Sequence, residues 1–201
     1  MSFTDNQVSM ATATGGSVVF SSPADLIGHS YVRRLQEYMV KQAELHNLGF
    51  PHQDAVIKSF SRGGVTMRFR DDDKWINCHM QPALACHSDI VYRQVGKNDV
   101  LHLSAEEIID HLWAQVQYVR SVAHPRAIIL SHLLWFPVYE AQHEKVTLVN
   151  CRLLERINDS HRVPGVPPTH TVLLRHQYGI WGPSRRSLFD DEGIHLNSEG
   201  L

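Results

Sequence analysis

Short apolar runs alternate with stretches of helical apolar spacing along most of this chain. Ser17-Val18-Val19-Phe20 is apolar, and Ala24-Asp25-Leu26-Ile27 leads straight into Gly28. Pro23 lies between them and breaks any long strand, so the first core strand is expected to be short. From Tyr31 to Asn47, Val32, Leu35, Tyr38, Met39 and Leu45 mark one face, and Arg33, Arg34, Glu37 and Lys41 cover the other. That spacing predicts a helix. Ala55-Val56-Ile57 starts a second strand that ends at Gly63-Gly64, and a helical stretch follows around Trp75 to Ala85. Ile90 to Val95 is a third strand, running into Gly96.

The next helix carries a start signal. Ser104 and Glu107 have the spacing of a capping box, in which hydroxyl and carboxylate each accept an orphan backbone N–H. The helix runs past Leu112, Val116 and Val119 to a stop near Pro125. Ala127 to Leu130 is a fourth strand, Glu144 to Ile157 another helix, and Thr171 to Leu174 a fifth strand. Strands alternating with helices of this length imply right-handed crossovers and a mostly parallel sheet with helices on both faces. Residues 1–16 are Ser/Thr/Gly-rich and read as a loose tail, with a single domain over 17–201. His161 to His170, rich in proline, is a loop within that domain.

Composition narrows the function classes. The 201 residues are 43% hydrophobic and 20% charged, which suits a globular chain. A net charge of −2 gives no bulk attraction to nucleic acid or to an anionic membrane, and no basic stripe with interleaved aromatics occurs. Nothing reaches the roughly 18 apolar residues of a membrane span, and the polar N-terminus lacks the pattern of a signal peptide. Three cysteines, Cys78, Cys86 and Cys151, suit a reducing compartment, so a cytosolic or otherwise intracellular protein is expected. Cys78-His79 and Cys86-His87 repeat a pair at a spacing that fits no usual zinc pattern. They read instead as two buried small thiols, and no metal is expected.

The candidate chemistry lies at strand ends. Gly28-His29-Ser30 follows the first strand, Gly63-Gly64 the second, Gly96-Lys97-Asn98-Asp99 the third, and Asp190 to His195 the long loop after the fifth. In open α/β sheets ligands bind beyond the carboxyl ends of the strands, which is the edge these segments share. A serine hydroxyl needs a base to take its proton, and His195 is the candidate for Ser30. The acid that orients the imidazole is Glu192, three residues earlier, or Asp191, four residues earlier. The N–H of Ser30 at a helix start, a backbone approach at Gly64 and the amide of Asn98 together suit an oxyanion. Plainer roles stay open: Ser30 as a helix cap, Asn98-Asp99 as a turn and His195 as a surface histidine. Trp181 suits a pocket wall or the core, and Arg185-Arg186 an anion contact or plain surface.

Gly28-His29-Ser30, Gly96-Lys97-Asn98-Asp99 and Glu192-Gly193-Ile194-His195 together resemble the blocks of the SGNH (GDSL-type) hydrolase superfamily, from about Ala24 onward. The resemblance implies a flavodoxin-like three-layer α/β/α sandwich of about five parallel strands. It also implies an esterase or O-deacetylase that acts without a cofactor on a small-molecule or carbohydrate ester. Ser30 matches the nucleophile, His195 the base and Glu192 the triad acid. Ser30, Gly64 and Asn98 match the oxyanion hole, with Gly63 the second choice for the glycine. Asp99 and Asp191 are supporting positions, and Gly28 and Gly96 match the structural glycines. His29 stands where the family has Asp, and Glu192 is one methylene longer than the family's Asp. The family continues into a C-terminal helix, whereas this chain stops six residues after His195, so either a truncated sequence or a less shielded site is expected. An impaired SGNH-fold pseudoenzyme that binds or scaffolds is the alternative those departures leave.

Overall fold

The computed structural model describes residues 22–42, 47–48, 50–51, 54–67, 76–134, 140–161, 170–175, 187–192, 196–197 and 199. Five strands form one sheet: β1 (Ser22–Gly28), β2 (Ala55–Ser61), β3 (Ile90–Gln94), β4 (Ala127–Ser131) and β5 (His170–Leu174). Their order is β2-β1-β3-β4-β5, and every neighbouring pair is parallel. The helices between them are α1 (Ser30–Lys41), α2 (Ile76–Leu84), α3 (Ala105–Ala123) and α4 (His143–Ser160). The chain steps one way from β1 to β2 and the other way from β2 through β5. Right-handed crossovers then put α1 on one face and α2, α3 and α4 on the other.

Packing agrees with that handedness. Ile27, Val91, Ile128 and Leu130 share one buried cluster with Met80 and Leu84 of α2, Leu112 and Val116 of α3, and Val149 and Leu153 of α4. Gly28 points its missing side chain the other way, toward α1. A Cβ there would lie 2.5 Å from Cγ2 of Val32 and 2.7 Å from the Gln94 carbonyl oxygen, so only glycine lets α1 and β3 come this close. The result is a three-layer, flavodoxin-like α/β/α sandwich. Among the described residues, no helix is long and apolar enough to cross a membrane.

The capping box at the start of α3 is present: the Ser104 N–H donates to Glu107 at 2.8 Å, and the Glu107 N–H donates to the Ser104 hydroxyl at 3.3 Å. Three expectations need correction. Pro23 lies inside β1. Pairing with β3 begins only at Ala24, so the missing proline N–H falls where β3 asks for no bond. Helix α1 ends at Lys41, where Gln42 turns extended, well short of Asn47. Asn47 instead adopts φ 61° and clamps the approach to β2, donating to the carbonyls of Phe50 and Ala55 and accepting from the Ile57 N–H. Cys86 is exposed rather than buried, because it falls in the turn after α2.

Order reversal in the sheet creates a switch point between β1 and β3. β1 and β3 are neighbours whose connections leave in opposite directions, which makes the crevice beyond their ends the switch point where such folds take ligands. Gly28 pairs with Gln94 in register, so the segments carrying Ser30 and Asn98 leave the sheet at one level.

Candidate active site

Ser30 is the first residue of α1 and is 8% exposed. His29 precedes it as the N-cap, with extended backbone, and its N–H donates to the Gln94 carbonyl at 3.4 Å. Nδ1 of His29 accepts the Tyr31 N–H at 3.4 Å and lies 3.3 Å from Oγ of Ser30. A histidine therefore does the work of the usual short polar cap, satisfying a donor that the first helical turn leaves open.

Across the crevice, Gly96 takes φ 102°, and a Cβ there would meet Leu133 at 2.9 Å. This left-handed bend starts the short 3₁₀ turn Lys97–Asp99. Nδ2 of Asn98 donates to the Val65 carbonyl at 2.8 Å, and an amide NH₂ carries a second hydrogen beyond that bond. The buried Asp99 carboxylate accepts the Met67 N–H at 3.1 Å from each oxygen. Both bonds tie the turn to the segment just after Gly64, which is exposed at φ 77°. Gly63 is also exposed, and a Cβ there would meet nothing within 4 Å.

The third segment closes on itself. Phe189 and Leu196 form an antiparallel bridge, so the chain returns on itself between these two residues. Nδ2 of Asn197 donates to the carbonyls of Ser187 at 2.6 Å and Phe189 at 3.1 Å, while its N–H donates to Leu188 at 3.0 Å. Phe189 and Leu196 share a buried cluster with Tyr31 and Leu134, and Asp190 pairs with Arg34 of α1 at 3.5 Å. Phe189 and Leu196, which flank Glu192 in sequence, are thus packed with Tyr31, the residue next to Ser30. Asp191 and Glu192 are exposed. His195 lies outside the described residues, as do Cys78 and His79 as side chains, Trp181, Arg185 and Arg186.

Sequence reasoning passed over Tyr31, Lys97 and Asp190. The ammonium of Lys97 donates to the Tyr31 hydroxyl at 3.2 Å and stands 4.4 Å from the centre of its ring. Burial pulls the Lys97 amine down to about 7; the Asp190 charge opposes this and the Arg34 charge adds to it. Burial also raises the Tyr31 phenol well above its ordinary range, helped by Asp190. The available signal was position alone: Lys97 sits between two residues of the Gly-x-Asn-Asp turn, one helix start away from Tyr31.

Among the described residues, no group of three or more His, Cys, Asp or Glu could hold a metal ion. No protein-family model and no curated protein sequence matches the chain. Solved structures do resemble it. A member of the lipolytic G-D-S-L family from Veillonella parvula superposes with a TM-score of 0.63 at 11% identity, covering 89% of this chain and 91% of that one. The lipase/acylhydrolase from Enterococcus faecalis gives 0.61 at 13% identity, covering 89% of each chain. A carbohydrate esterase family 3 protein from Talaromyces cellulolyticus gives 0.58 at 17% identity, covering 89% of this chain and 90% of that one. The likeness is one of fold: this chain has the SGNH-type architecture.

Proposed function

We propose that this SGNH-type fold is a serine-dependent ester hydrolase acting on a small-molecule or carbohydrate ester. One observation carries the reading. Tyr31, next to Ser30, shares a buried apolar cluster with Phe189 and Leu196, which bracket Glu192 and His195. Segments some 160 residues apart thereby meet at the switch-point edge of the sheet. Structural neighbours that are a lipase/acylhydrolase and a carbohydrate esterase support the same class.

In this reading Oγ of Ser30 attacks the ester carbonyl carbon as His195 takes its proton, with Glu192 orienting the imidazole. The oxyanion accepts hydrogen bonds from the N–H groups of Ser30 and Gly64 and from the Asn98 amide. Collapse expels the alcohol, which takes the proton from His195 and leaves an acyl-Ser30 ester. Water then repeats the cycle, releasing the acid and restoring the serine. Asp99 supports the oxyanion segment through Met67, and Asp191 is the alternative acid. Turnover of p-nitrophenyl acetate and of an O-acetylated sugar, each abolished in Ser30→Ala, tests the assignment.

The second reading, a catalytically impaired binding module, draws on the exposure of Glu192 and on His29 in place of an aspartate. It expects an acylated ligand to bind without turnover.

A further inference from the structure

Lys97 is an unusual residue for its place. A flexible ammonium on a surface turn ordinarily reaches into water, yet this one is 7% exposed, against a phenol that is 5% exposed. Its hydrogen bond to the hydroxyl and its approach to the ring of Tyr31 use the same partner twice. Tyr31 is in turn the residue on which three segments converge. It follows Ser30 in α1, its N–H is capped by His29, and its ring packs on Phe189 and Leu196 of the third segment. Lys97 lies in the turn beside Asn98.

We propose that Lys97 is a positioning residue: its ammonium, seated on Tyr31, holds the turn presenting Asn98 in register with the helix start presenting Ser30. The inference rests on the hydrolase reading for its catalytic meaning but not for its geometry. A buried amine held by a phenol is a stiff strut, because leaving that contact gives up a buried hydrogen bond. The charged groups around it are Arg34 of α1 and Asp190 of the third segment, with Asp99 on its own turn directed to Met67. Placing donor and nucleophile to within an ångström matters, since a displacement of that size can cost about 100-fold in rate.

The test compares the full-length wild type with Lys97→Met, which keeps the length of the stem, and Tyr31→Phe, which keeps the ring and removes the acceptor. With p-nitrophenyl acetate, both variants are expected to lose about 10- to 100-fold in kcat with KM within about twofold. Backbone hydrogen exchange supplies the readout that needs no turnover. Exchange should accelerate together in residues 96–99 and 29–33, which are far apart in sequence. Unchanged kcat, or acceleration confined to residues 96–99, overturns the proposal. Should Lys97→Met fail to fold, Tyr31→Phe decides by the same two criteria. Should the wild type hydrolyse no ester, the hydrolase reading falls while the exchange pattern still decides whether Lys97 couples the two segments.

Discussion

Nδ1 of His29 lies 3.3 Å from the hydroxyl of Ser30 and accepts the N–H of Tyr31 at 3.4 Å, so one imidazole both caps α1 and touches the proposed nucleophile. Removing a polar cap typically costs about 1 kcal/mol. His29→Ala should therefore lower stability by about that amount in denaturant titration. His29→Asp, whose carboxylate can accept the same N–H, should keep the stability and raise turnover. Unchanged turnover in His29→Asp would mean that this position does not limit the chemistry.

Gly96 is the pivot of the turn that carries Asn98. With φ at 102° and Leu133 only 2.9 Å from a Cβ position, Gly96→Ala is strained in both backbone and packing. It should cost about 1–3 kcal/mol in stability and lower kcat, because the bend aims Asn98. Chemical denaturation with steady-state kinetics checks both parts. A variant as stable and active as wild type would show that the turn adapts.

Asn197 holds the Ser187–Phe189 segment through two side-chain bonds to the carbonyls of Ser187 and Phe189. Asn197→Ala should cost about 1–2 kcal/mol and reduce kcat more than it raises KM. Thermal unfolding and a kcat–KM split are the measurements, and a pure KM effect would point to substrate contact instead.

Lys97 gives a pH-dependent prediction. Burial lowers its folded-state value to about 7 from the ordinary 10.5, so between those limits the unfolded chain binds the extra proton. Stability from this group should then rise as pH climbs from about 7 and be lost as pH falls through it. Lys97→Met escapes that penalty: it should exceed wild type in melting temperature most clearly below pH 7, with the gap narrowing toward pH 10. A gap independent of pH would contradict the burial argument.

The layer order, the parallel sheet and the α3 capping box were legible in the sequence because each rests on local spacing: alternating apolar runs, or Ser104 three residues before Glu107. The end of α1 was not. Apolar residues beyond Lys41 keep a helical rhythm, but Asn47 leaves it for a left-handed conformation, from which it satisfies three backbone groups of the β2 approach. Pro23 misled because its cost depends on which neighbouring strand needs the N–H, a property of register rather than of composition. Ser30, Gly64, Asn98 and the segment around Glu192 are candidates that short motifs at strand ends single out. Tyr31, Lys97 and Asp190 were missed because their significance comes only from meeting one another across the crevice. Arg93 was missed in the same way: it is buried in the sheet face and bonded to Gln115 of α3, and nothing local in β3 announces that partner.

The central claim is an activated Ser30, and a fluorophosphonate probe measures that state directly. The purified wild type should label at Ser30, and labelling should vanish in Ser30→Ala and fall to background in His195→Ala. A folded wild type that takes no label, or a His195→Ala variant that labels as fast as wild type, would contradict the account.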